Sequence, residues 1–149
     1  MATLINGLFQ KERLLDYIRN FIVFEVDKAG VTKKGAKYHQ FFAVRAAVDR
    51  TLAAFKSDNQ RIGVVWHTTG SGKSLSMAFL VGILRHHPDL GGPAFVIQVD
   101  RTDLDDQLYA QFAVAEHLVG KAQQASDVDD LRKLLRTDGS EVIFTTIEK

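Results

Sequence analysis

The chain has 149 residues, of which 46% are hydrophobic and 25% charged, with a net charge of +1. That balance fits a globular domain with a single core. Cysteine is absent, which excludes disulfides and thiolate metal sites. No apolar run approaches the ~18 residues that would span a membrane. The start, Met1-Ala2-Thr3-Leu4-Ile5-Asn6, lacks the basic lead and apolar centre of a secretory signal; the absence of cysteine suits the cytoplasmic location that is expected.

The charge is unevenly spread. Residues 1–61 carry 11 Lys/Arg against 6 Asp/Glu, a net +5, and residues 62–149 carry 8 against 12, a net −4. The basic half suits either a nucleic-acid surface or an ordinary solvated one. Two helices are expected there. In the first, Asn6 to Asn20, the residues Phe9, Leu14, Leu15, Ile18 and Phe21 form a broad apolar stripe. Phe21 to Val26 either continues that helix or turns into a short strand. A polar, basic loop is expected from Asp27 to Lys37. The second helix, Gln40 to Phe55, repeats Phe41, Val44, Val48, Leu52 and Phe55 at helical spacing.

Three later segments have the nearly continuous apolar character of strands buried on both faces. They are Ile62–Trp66, Ala94–Val99 and Val142–Thr146. A helix from about Lys73 to Arg85 separates the first two and ends before Pro88 and Gly91-Gly92-Pro93. Between the last two, one helix is expected from about Thr102 to Ala115, with Leu104, Leu108 and Phe112 on one face and Thr102 or Asp103 as its cap. Another runs from about Val128 to Leu135, after the polar break Gln123 to Asp127. Strand and helix in alternation predict an α/β fold with a parallel sheet.

The segment that carries chemistry is Trp66-His67-Thr68-Thr69-Gly70-Ser71-Gly72-Lys73-Ser74. Strand, glycine-rich turn, Lys-Ser and helix, in that order, make a phosphate-binding loop. Glycines at 70 and 72 let the backbone curl and approach an anion with no Cβ in the way. Successive N–H groups then point at the anion from the positive end of the following helix. Lys73 is expected on the β- and γ-phosphates, and the Ser74 hydroxyl on Mg²⁺. The strict spacing would put a glycine where His67 stands. The bland alternative is a solvated glycine turn. His39 and His67 have neither cysteine nor paired carboxylates at metal-ligand spacing, so a metal or acid–base role has little support.

A nucleotide hydrolase also needs an acidic residue at another strand end to hold Mg²⁺. After Lys73 the nearest approach is Val99-Asp100, and Val142–Thr146 ends in Thr-Thr. The chain is therefore expected to be a piece of a longer protein and inactive by itself, with residues 1–37 a helical linker or the end of a preceding region. Residues 38–149 are expected to be the first part of an incomplete nucleotide-hydrolase domain.

Four stretches together carry a resemblance: Lys37 to Val44, Trp66 to Ser74, Val99 to Gln107, and Ile143-Phe144-Thr145-Thr146-Ile147-Glu148-Lys149. They resemble the restriction subunit of type I restriction-modification enzymes, a superfamily 2 helicase-like motor. The resemblance implies a partial RecA-like lobe that binds ATP and Mg²⁺ and works on double-stranded DNA beside modification and specificity subunits. His67 before Thr-Thr-Gly-Ser-Gly-Lys-Ser is what that family looks like. The implied ATP-binding residues are Gln40, Thr69, Gly70, Ser71, Gly72, Lys73 and Ser74, with Lys73 and Ser74 catalytic. Gln40 falls where the family reads adenine, its side chain free to turn toward a nucleotide; its alternative is a polar helix-start residue. Arg101, Thr145 and Thr146 fall on motifs that contact DNA backbone. Their alternatives are an arginine paired with Asp100, Asp103 or Asp105, and an ordinary helix cap.

Overall fold

The computed structural model describes residues 7–28, 30–58, 60–100, 102–136 and 141–147, with the side chains of 27 and 102–104 left aside. Helix α1, Lys11–Asn20, starts where the Gln10 side chain accepts from the Arg13 N–H. The strand alternative for the following segment is the one formed. Strands β1, Ile22–Asp27, and β2, Gly30–Gly35, make an antiparallel hairpin, so the expected basic loop is half of a ladder. Alternation explains the hairpin. Phe21 and Val23 are buried while Phe24 faces outward, the period-two signature of a strand. Helix α2 spans Tyr38–Phe55 and α3 spans Lys73–Arg85.

A short 3₁₀ turn, Pro88–Leu90, follows α3. Then come β3, Phe95–Val99; α4, Thr102–Val114; the single turn α5, Glu116–Val119; β4, Ala122–Gln124; α6, Val128–Leu134; and β5, Val142–Thr146. The sheet runs β3-β5-β4, all parallel. This is the α/β architecture of a partial RecA-like lobe, preceded by helix and hairpin. β5 lies in the centre with all five residues buried. Strand β4 stands inside what reads as a polar break. Ala-Gln-Gln has no strand propensity of its own, and the free edge of β5 supplies the ladder.

The core closes around tilted and edge-on rings. Phe21 lies 4.6 Å from Phe41 and 5.4 Å from Phe79, centroid to centroid. Phe112 lies 5.0 Å from Phe144 on the sheet. Burying each such ring stabilises the fold by about 1.5–3 kcal/mol. The Tyr17 hydroxyl donates to the Ala36 carbonyl at 2.8 Å, and Ala36 N–H donates to Phe21 O at 3.0 Å. These bonds tie α1 to the root of the hairpin.

One strand expectation fails. Ile62–Trp66 belongs to no ladder among the described residues, and Val64 and Trp66 are 90% and 89% exposed. Apolar residues alone do not make a strand; the backbone N–H and C=O groups need a neighbouring strand to pair with. Val65 instead borders a cavity of about 240 Å³ with Ala43, Val44, Ala47, Met77 and Leu80.

Candidate phosphate-binding site

The turn from Thr68 to Gly72 closes with Ser71 N–H donating to Thr68 O at 3.2 Å. Gly70 and Gly72 have φ of 77° and 84°, the left-handed region where a side chain is strained. Gly72 is the N-cap of α3. A Cβ built on it would stand 2.7 Å from Gln40 Nε2, so the curl has no room for one.

The carbonyls of His67, Thr68, Ser71 and Gly72 are taken up by the protein. Lys73 Nζ donates to His67 O and to Thr68 O, both at 3.0 Å. Gln40 Nε2 donates to Gly72 O at 2.9 Å, and that oxygen also accepts from Ser76 N–H at 3.1 Å. The Ser71 carbonyl lies 3.2 Å from His39 Nε2. The N–H groups of Thr69, Gly70, Gly72, Lys73 and Ser74 have no protein acceptor among the described residues. Donors without acceptors, at a helix N-terminus beside a lysine, form a seat for an anion. The residues present therefore fit a phosphate chain. Lys73 would hold it by charge, and the half-buried Ser74, one residue on, would offer its hydroxyl to the accompanying Mg²⁺.

Thr69, Gly70, Ser71, Gly72, Lys73 and Ser74 thus come together in one turn. Gln40 adjoins it but is not free. It is 2% exposed, its oxygen accepts from Lys37 N–H at 2.8 Å, and its nitrogen is on Gly72 O. The bond to Lys37 is the helix-start alternative; the sequence hid the other because Gly72 is 32 residues away. Thr145 and Thr146 are each 3% exposed within β5, and Thr145 Oγ1 donates to the Thr146 carbonyl at 3.3 Å. Their hydroxyls are not on the surface, and neither caps a helix among the described residues. Arg101 lies outside the described residues. Val99 pairs with Thr146, so β3 and β5 end at the same edge of the sheet, where open α/β folds place ligands. His39 escaped sequence reasoning as a loop contact. Its only signal was its place beside Gln40.

Residues 39–149 match the SWI2/SNF2 ATPase family, from the first turn of α2 through the phosphate loop to β5 and beyond. The chain belongs to the SWI2/SNF2 ATPase family. Its relatives narrow the resemblance. It is 48% identical over its whole length to the type I restriction enzyme HindI endonuclease subunit of Haemophilus influenzae. It is 35% identical over 98% of its length to the MjaIXP type I restriction enzyme endonuclease subunit of Methanocaldococcus jannaschii. A third, the SauCOLORF180P subunit of Staphylococcus aureus, is 31% identical over 88% of the chain. The match covers 14% of the length of each of the first two and 13% of the third. The restriction-subunit resemblance drawn from the motifs therefore holds. No helix among the described residues is long and apolar enough to cross a membrane.

Proposed function

We propose that this SWI2/SNF2 ATPase segment is the ATP-binding part of an ATP-dependent DNA translocase in a type I restriction enzyme. It would lie in the cytoplasm and act with modification and specificity subunits on double-stranded DNA. Residues 38–149 would form the first part of the motor lobe, with 1–37 leading into it. The observation that carries the reading is the seat itself: five unpaired loop amides around two left-handed glycines, with Lys73 already folded across the turn.

The mechanism follows from what these groups can do. The amides, oriented before a triphosphate arrives, hold it by hydrogen bonds, and Lys73 holds it by charge. Lys73 must leave the His67 and Thr68 carbonyls to reach it, so binding exchanges two neutral acceptors for a stronger, charged one. The Ser74 hydroxyl would hold Mg²⁺, which would supply positive charge against the charge developing on the phosphates. Gln40 as an adenine reader requires its amide to leave Lys37 and Gly72. DNA contact at Arg101 remains part of the proposal. At Thr145 and Thr146 it requires β5 to expose buried hydroxyls.

Another superfamily 2 helicase, or a non-catalytic nucleotide-binding module, would share the seat. The test is Lys73→Ala in the full-length protein of which this chain is the expected part. ATP affinity is expected to fall at least ~10-fold, the order lost with one charge-assisted contact, and DNA-stimulated hydrolysis to disappear with the fold intact. A folded variant with unchanged ATP binding would contradict the reading. Wild-type binding without DNA-stimulated turnover would favour the non-catalytic module.

A further inference from the structure

We propose that His39 is a positioning residue of the phosphate loop, whose imidazole fixes the Ser71–Gly72 peptide so that the Gly72 amide faces the incoming phosphate. This rests on the nucleotide-binding reading and adds a residue to it.

A trans peptide is a rigid plane whose C=O and N–H point in opposite directions. No peptide bond among the described residues is cis. Holding the Ser71 carbonyl therefore aims the Gly72 N–H the other way, and holding the Gly72 carbonyl aims the Lys73 N–H. His39 holds the first at 3.2 Å and Gln40 holds the second at 2.9 Å. Both side chains come from the first turn of α2, so one rigid helix end sets two successive planes. The Ser71 carbonyl can only accept, so His39 Nε2 carries the proton.

The loop needs such a restraint. Its planes join at glycines, where the backbone has alternative conformations at little cost. A flipped Ser71–Gly72 plane would turn a carbonyl toward the phosphate and repel it. The His39 ring is itself fixed from two sides. It meets His67 edge-on at 5.2 Å and 86°, and Tyr38 at 5.4 Å and 89°. The His67 contact joins the start of the loop to the same imidazole that holds its end.

The test compares His39→Phe, His39→Gln and His39→Asn in the full chain, with ATP and inorganic tripolyphosphate as probes. Phe keeps the ring against His67 without a donor. Gln places an N–H at the reach of Nε2, and Asn falls short. The expected result is roughly three- to tenfold weaker binding of both probes for Phe and Asn, the order of one hydrogen bond, with Gln near wild type and melting temperatures alike. Three results would overturn the proposal: Phe binding both probes as wild type does, Gln no better than Asn, or ATP weakened with tripolyphosphate unchanged. The last would give His39 to the base instead. If Phe disturbs the fold, the Gln–Asn pair, alike in polarity, decides alone. Lys73→Ala run alongside separates the two levels. Weak binding there with unaffected His39 variants removes only this inference, whereas unaffected binding in Lys73→Ala removes the nucleotide reading itself.

Discussion

At the scale of the residue, Gly72 shows how little freedom the site has. Its left-handed backbone and its contact with the Gln40 amide make even one added methyl costly. A non-glycine residue in this conformation loses about 1–2 kcal/mol, and the Cβ would also push Gln40 off the Gly72 carbonyl. Gly72→Ala should therefore weaken ATP binding about tenfold or more, read by direct titration, while α3 stays helical by circular dichroism. Equal affinity would mean that the curl is not the binding conformation. The chemistry of Thr69–Ser74 was legible because adjacent residue types define it. The engagement of Gln40 and His39 was not, since a hydrogen bond to a carbonyl 32 positions away leaves no trace in local pattern. The burial of Thr145 and Thr146 was within reach, because they close an apolar strand run.

At the scale of the element, α3 connects the site to the core. Its first turn forms the seat, and its later turns are buried at Phe79, Val81, Ile83 and Leu84. Gly82 is where it meets α5: a Cβ there would lie 3.2 Å from Leu118 Cβ and 3.3 Å from Leu118 O. Gly82→Val would overfill that contact and should destabilise the chain by about 1–3 kcal/mol, read from the midpoint of chemical denaturation. No loss of stability would show that α5 moves away freely. Helices α2, α3, α4 and α6 and strands β3 and β5 were legible from periodicity and turn residues. The hairpin, β4 and Ile62–Trp66 were harder, because whether a short segment becomes a strand depends on a pairing partner rather than on its own side chains.

At the scale of the whole molecule, one packed core joins the hairpin side to the sheet side. Phe21 and Val23, before residue 37, are buried in the same cluster as Phe79 and Phe144. The phosphate loop opens onto a groove between hairpin and α4, where Val23, Glu25 and Lys34 face Gly72, Leu75, Gln107 and Gln111. Membership of the SWI2/SNF2 ATPase family, together with this arrangement, makes nucleotide binding at the N-terminus of α3 the central claim. The most direct measurement is amide hydrogen exchange on the full chain, with and without ATP and Mg²⁺. Exchange should slow at the amides of Thr69, Gly70, Gly72, Lys73 and Ser74, which have no acceptor among the described residues, while central β5 is unchanged. Unaltered exchange at these amides at saturating ATP would contradict the account.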